Sequence, residues 1–211
     1  MVSSLQPYMR RHAQASAPDA GALPRKTGYV VVYIRQVQDG QTVPPFDQFY
    51  GRAVPLHTVR IHGVDYAYIY QVPPAVAHPR PADFGPLLHL RGFDPGGAAQ
   101  RGKPLALKLS WEVSSPPSAD YTLFAHLIGP GGRRYAQADL PYPTSQWRPG
   151  HPISTDLPLL IPADAPAGAY RLVIGLYDPA SNQRLLLTSA DPIDPALDGP
   201  DALPLTEVRL D

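Results

Sequence analysis

Cysteine is absent from this chain of 211 residues, and its acidic and basic residues balance at 18 each. Without cysteine the chain can form neither disulfides nor thiolate metal sites, and this absence fits either side of a membrane. The balanced charge lacks the positive surplus that is typical of nucleic-acid-binding proteins. We therefore expect no nucleic-acid partner.

Long apolar runs are also missing. No run approaches the roughly 18 residues that a membrane-spanning helix needs, and residues 1–20 lack the apolar segment of a secretion signal. We expect no membrane span in this chain, and a chain expressed as written would stay in the cytoplasm.

Motifs that carry chemistry are not found either. His57 and His62 lie five residues apart on one predicted strand, so they point to opposite faces and cannot chelate a metal together. There is no H-E-x-x-H zinc motif and no G-x-S-x-G nucleophile elbow. The aspartates between residues 191 and 201 do not have the spacing of a calcium loop. The sequence predicts no catalytic residue, no metal site and no cofactor.

Proline and glycine are abundant, with 28 and 17 copies, and they close off a series of short strand-like runs. The clearest run is Pro104 to Val113, in which apolar residues at every second position alternate with polar ones. This is the pattern of a half-buried antiparallel strand. About eight such runs follow residue 84 and predict a mostly β fold, an antiparallel β-sandwich of the jelly-roll or immunoglobulin-like type.

Two local features refine this interpretation. Tyr170 begins a strong strand directly after a Pro/Gly turn, which predicts a tyrosine corner, in which the phenol binds upstream backbone. Pro158 interrupts another predicted strand, which favours an edge position for that strand.

The chain divides into four predicted segments. Residues 1–27 are a flexible or weakly helical N-terminal segment, and residues 28–72 are a small β unit that resembles the tail of an α/β domain. Within this unit a hairpin turns at Gly63, and Tyr66, Tyr68 and Tyr70 are predicted to share one face. Residues 73–83 are a proline-rich linker, and residues 84–211 form the sandwich.

An aromatic loop within the sandwich is the best physical candidate for a ligand site. Tyr142 and Trp147 lie beside Gln146 and Arg148 in the segment PYPTSQWRPG. Exposed rings next to these polar side chains could stack on a sugar and hydrogen-bond its hydroxyls. The alternative is that Trp147 folds back and closes one end of the sandwich, because large rings are usually mostly buried.

Several phrases resemble a known family. The segments YVVVYIRQVQ at 29–38 and PLHTVRIHGVDYAYIY at 55–70 are similar to the end of the extracytoplasmic α/β region of bacterial membrane glycosyltransferases. These enzymes are the lipid-carrier-dependent, protein-mannosyltransferase-like ones of the family 39 type. The segments at 121–127, 143–150 and 175–179 are similar to the β-sandwich appended to some of them. The resemblance implies an extracytoplasmic location for this chain within a parent enzyme.

The chain also departs from that family. Members have many membrane helices and place their catalytic acids in an early extracytoplasmic loop, and this chain contains neither. No functional residue can be carried over, so we expect that this chain is not itself an enzyme and that it corresponds to a detached C-terminal portion.

These observations lead to three functional hypotheses. The first is a non-catalytic accessory domain of a membrane glycosyltransferase, whose expected partner is a glycan or the membrane portion of the enzyme. The second is a protein-interaction or structural module without a ligand. The third is a stand-alone hydrolase, although no nucleophile–base pair is visible in the sequence.

Overall fold

The structure is a computed structural model that describes residues 28–41, 49–51, 53–190 and 200–211. The predicted N-terminal segment 1–27 and most of the aspartate-rich stretch lie outside the described residues. In the described part the chain is mostly β, as predicted, with three antiparallel sheets. No helix in this part is long and apolar enough to cross a membrane.

The first sheet is small and has three strands. It comprises β1 (Gly28–Tyr33), β2 (His57–Ile61) and β3 (Val64–Val72), in the order β1-β3-β2. A single short helix, α1 (Ile34–Gln38), follows β1. The predicted hairpin between β2 and β3 is confirmed: His62 and Gly63 have φ of 52° and 80° at the turn, as a two-residue type I′ connection requires.

A bulge in β3 changes the predicted arrangement of its tyrosines. Ala67 pairs with Val59 and Asp65 pairs with Arg60, so Tyr66 is an extra residue without a partner on β2. A bulge of this kind shifts the alternation of side chains. Tyr66 therefore meets Tyr33 edge to face at 5.8 Å instead of sharing a face with Tyr68 and Tyr70.

The sandwich follows. Its strands are β4 (His78–Phe84), β5 (Leu88–Pro95), β6 (Pro104–Val113), β7 (Thr122–Ile128), β8 (Arg134–Pro141), β9 (Ile153–Leu160), β10 (Gly168–Tyr177), β11 (Leu187–Ala190) and β12 (Leu203–Leu210). One sheet has the order β11-β4-β5-β6-β9 and the other has the order β12-β10-β7-β8. The predicted strand at 104–113 has these bounds, with strictly alternating burial along its first half.

The connectivity is that of an immunoglobulin-like sandwich. Strands β6 and β9 pair in one sheet, and β7 and β10 pair in the other, while β12 and β8 flank the second pair. This matches the B–E and G-F-C-C′ pairings of that fold. The predicted tyrosine corner is present at the start of β10, where the Tyr170 hydroxyl donates to the Pro166 carbonyl oxygen at 2.7 Å.

The segment predicted as a linker contributes to the sandwich from His78 onward, as β4. Its prolines are tolerated because the register with β5 shifts between Pro79 and Ala82, and β11 pairs only with residues 82–84 of β4. Pro158 lies in β9, which is an edge strand as predicted, because an edge position leaves the missing N–H without consequence.

The main hydrophobic core lies between the two sheets of the sandwich. At the centre of this core, Trp111 is 1% exposed and donates its indole N–H to Thr155 Oγ1 at 2.9 Å. A second, smaller cluster covers the outer face of the four-stranded sheet and contains Phe124 and Val173. The ring of Phe124 lies across Gly175, its partner on β10, where a Cβ atom would overlap the ring.

Candidate functional site

The aromatic loop predicted as a ligand site folds inward. Trp147 is 9% exposed and its ring centroid lies 6.2 Å from that of Trp111, so the structure follows the second alternative for this residue. Tyr142 is half-buried and donates its hydroxyl to the Asp156 carbonyl oxygen at 2.5 Å. Burial raises the pKa of the Tyr142 phenol. Gln146 and Arg148 remain exposed.

Thr144 is the reason that this loop turns inward. It is fully buried, and its hydroxyl donates to the Ala119 carbonyl oxygen at 2.8 Å and accepts from the Tyr121 N–H at 2.9 Å. The next residue, Ser145, donates its N–H to Asp120 Oδ1 at 2.9 Å, and the bonds from Ser145 lower the pKa of Asp120. The loop is therefore fixed to the strand start beside it, and Trp147 packs into the core.

A cleft lies elsewhere, between the three-stranded sheet and the sandwich. It encloses about 240 Å³. Its apolar lining includes Phe49, Val54, Pro73 and Pro152, and its polar lining includes Gln71, His89, Glu112, Ser114 and His151. A mostly apolar concave site with a few polar groups is the usual form of a small-molecule site, and this one is small.

Polar contacts and a close backbone approach hold the two walls of the cleft together. Arg91 on β5 donates to the carbonyl oxygen of Pro74, in the segment that follows the small sheet, at 3.3 Å, and an ion pair with Glu112 on the neighbouring strand β6 at 3.1 Å positions its guanidinium. On the opposite side, a Cβ at Gly150 would lie 2.9 Å from the Val54 carbonyl oxygen. Gly150 has φ of 78°, a conformation that glycine adopts without strain.

Two cleft residues, His89 and Ser114, form a hydrogen-bonded network with Asp83. Asp83 Oδ1 lies 2.7 Å from His89 Nδ1, and His89 Nε2 lies 2.5 Å from Ser114 Oγ. Because the carboxylate accepts from Nδ1–H, the other ring nitrogen is free to accept the serine proton. Asp83 and His89 are directly opposite each other on β4 and β5, and Ser114 follows the end of β6.

No local pattern in the sequence indicated this network. Alternation along β6 puts Glu112, and with it Ser114, on the outer face of the sheet, and alternation along β5 does the same for His89. Asp83 joins them only if the β4–β5 hairpin pairs it with His89, and the segment containing Asp83 was predicted as a linker. Strand register was the missing signal.

Histidine elsewhere has a packing role. His126 is half-buried on the outer face of the four-stranded sheet, where it stacks on Phe124 with ring centroids 4.7 Å apart. Burial, with Arg134 and Arg184 nearby, lowers the pKa of His126 to about 4. Among the described residues, no group of three or more metal-ligating side chains is close enough to hold an ion.

Comparison with known proteins found no protein-family model and no curated protein that matches this chain.

Proposed function

We propose that this chain is an accessory module of a membrane glycosyltransferase that transfers no sugar itself and binds a small carbohydrate or acceptor group in the cleft between its two units. The observation that carries this proposal is the cleft of about 240 Å³, which combines apolar side chains with hydrogen-bonding groups. Apolar surface and a few polar groups in one concavity suit a sugar, whose hydroxyls need partners and whose C–H face packs on apolar surface. The link to a glycosyltransferase is supported by the sequence resemblance alone.

The cleft is a better candidate than the loop predicted from the sequence. Trp147 is buried in the core and presents no free ring face, whereas the cleft is a concavity with hydrogen-bonding side chains in its lining, Gln71 and His151 among them. Phe49 and Tyr70 offer little ring surface, since they are 9% and 2% exposed, so we expect polar contacts, and not ring stacking, to hold the ligand.

Titration with a panel of small oligosaccharides, followed by NMR chemical shifts, tests carbohydrate binding. We expect shifts at Gln71 and His151, weaker binding by the Gln71→Ala variant, and unchanged binding by Gln137→Ala on the exposed surface of β8. A panel that moves no cleft resonance would contradict the proposal.

A second candidate function is an interaction module that packs on the membrane portion of a parent enzyme. One observation favours it: the outer face of the three-stranded sheet presents Tyr29, which is 65% exposed, and Tyr66, which is 39% exposed, and exposed apolar surface of this kind often marks an interface. Removing residues 1–72 should then improve solubility, and unchanged or poorer solubility would argue against it.

A further inference from the structure

Asp83 and the cleft residues His89 and Ser114 are joined in the order that a serine hydrolase requires. The carboxylate of Asp83 binds Nδ1 of His89, and Nε2 of His89 binds the Ser114 hydroxyl, at 2.7 and 2.5 Å. In such a triad the acid fixes the tautomer and orientation of the imidazole, which then accepts the serine proton. Triads are recognised by this geometry and occur on unrelated folds in different chain orders.

We propose that Ser114 and His89, positioned by Asp83, hydrolyse short-chain carboxylic esters at this cleft. This activity requires neither a parent glycosyltransferase nor a bound glycan. It is a different function from the proposed binding role.

The reaction needs only the ester and water. Ser114 Oγ attacks the acyl carbon and passes its proton to His89 Nε2, which then protonates the departing alkoxide as its C–O bond breaks. Water attacks the resulting acyl-serine and gives a proton to His89, which returns it to Ser114 Oγ as the carboxylic acid leaves. The site is open to water, because the His89 and Asp83 side chains are 32% and 38% exposed.

The cleft suits a short acyl chain. The volume of about 240 Å³ is below the range of sites that hold drug-sized molecules. Val54, Pro73 and Pro152 in the cleft lining supply apolar contacts for a few methylene groups. The expected substrates are therefore esters whose acyl chain has about two to four carbons, because a chain of this size fits the space.

Stabilisation of the developing oxyanion sets the expected rate. The Ser114 N–H already donates to the Leu87 carbonyl oxygen at 3.1 Å. The backbone amide of the nucleophile therefore does not donate to the oxyanion. Gln71 and His151 are the other cleft residues whose side chains carry N–H groups. A missing oxyanion donor costs a factor of roughly 10²–10³, so we expect a slow hydrolase.

The test is labelling of the full chain by a fluorophosphonate probe together with hydrolysis of p-nitrophenyl acetate and butyrate. We expect one adduct, located on Ser114 by peptide mass spectrometry. Ser114→Ala should abolish labelling and lower ester hydrolysis by about 100-fold or more. Ser115→Ala is the matched control in the same turn and should retain both.

A variant that keeps the shape of the network separates catalysis from structure. Asp83→Asn should slow labelling of Ser114 by 10-fold or more, since the amide favours the wrong imidazole tautomer, while the thermal midpoint changes little. A purely structural network would shift the midpoint without any Ser114 adduct in the wild type.

Two results would overturn the inference. Surface histidines can cleave activated esters without a nucleophilic serine, so hydrolysis equal in wild type and Ser114→Ala would exclude the triad, as would an adduct on another residue.

Oligosaccharide titration of Ser114→Ala is the separate readout for the binding role. Retained binding with no ester hydrolysis in the wild type would leave that role intact.

Discussion

The three-stranded sheet and the sandwich bury their apolar side chains in different ways. The sandwich encloses its apolar side chains between two sheets, and Leu109, Leu157 and Leu172 at its centre have no exposed surface. The small sheet has four buried residues on one face, Val30, Val32, Tyr70 and Val72, against which Phe49 packs, while Tyr29 on its other face is 65% exposed. A closed core can sustain itself, whereas a sheet covered on one face depends on what it packs against.

This difference predicts that the small sheet depends on the sandwich for its stability, and that the sandwich does not depend on the small sheet. The sandwich should unfold cooperatively as one body, and the small sheet should open at lower free energy without taking the sandwich with it. The cleft lies where they meet, so its shape depends on the less stable unit.

The largest expected effect comes from the centre of the sandwich core. Trp111→Ala removes a ring that contacts Phe84 and Trp147 at centroid distances of 5.7 and 6.2 Å and leaves Thr155 without its donor. We expect a loss of about 4 kcal/mol in the free energy of unfolding, measured by urea denaturation, with both units lost together. Leu160→Ala, at a residue 63% exposed on β9, should change it by less than about 0.5 kcal/mol. Survival of small-sheet signals after the sandwich has unfolded would reverse the proposed order.

Gly175 offers the next largest effect, on the outer face of the sandwich. A methyl group at this position would overlap the Phe124 ring and lie 2.8 Å from the Asp201 carbonyl oxygen. Gly175→Ala should cost about 2 kcal/mol through this overlap. Gly131→Ala is the control, because it meets no atom within 4 Å and should lose only about 1 kcal/mol for its positive φ. A smaller loss at Gly175 than at Gly131 would show that the Phe124 ring can move aside freely.

His126 adds a pH dependence confined to the sandwich. Its folded-state pKa of about 4 lies below the ordinary 6.5, so between these values the unfolded chain binds a proton that the folded chain does not. Stability is therefore lost as the pH falls from 6.5 to 4. The full pKa shift corresponds to about 3 kcal/mol in the free energy of unfolding. Solvent screening reduces this loss to about 1–2 kcal/mol at this half-buried site.

The measurement is urea denaturation at pH 7 and pH 4 of the wild type and of His126→Gln. The variant should lose less stability than the wild type over this interval by the stated amount. Parallel pH curves for the two proteins would contradict the role of His126. Hydrogen exchange in β1 to β3 should not depend on this substitution.

The smallest global effect is expected in the small sheet. Val32 is 1% exposed within its cluster, and Val32→Ala should raise hydrogen exchange in β1 and β3 by 10-fold or more, equivalent to about 1.4 kcal/mol or above. The urea midpoint of the sandwich should stay unchanged. A shift of that midpoint would mean that the two units unfold as one.

Prediction from the sequence succeeded where the information was local. The alternation in 104–113, the turn at Gly63 and the tyrosine at the start of β10 each depend on a few neighbouring residues, and all three are confirmed. The jelly-roll and immunoglobulin-like alternatives could not be separated, because the sheet order depends on long-range pairing.

Prediction failed where the outcome depended on strand register or on how well a strand accommodates proline. The prolines of residues 73–83 indicated a linker, yet a register shift accommodates Pro79 and Pro81 within β4. The tyrosine alternation in β3 is broken by one bulged residue. The link between Asp83, His89 and Ser114 joins β4, β5 and the residue after β6, and no spacing in the chain encodes it.

Pro158 in the outermost strand β9 has a consequence for how this molecule behaves when it is crowded. A neighbouring copy that lengthened the sheet at this edge would pair with the main-chain N–H and C=O groups of β9, and Pro158 has no N–H to donate. Fibrous growth by lateral strand addition is thereby discouraged along this side of the sandwich, so concentrated solutions should remain free of such polymers at that edge.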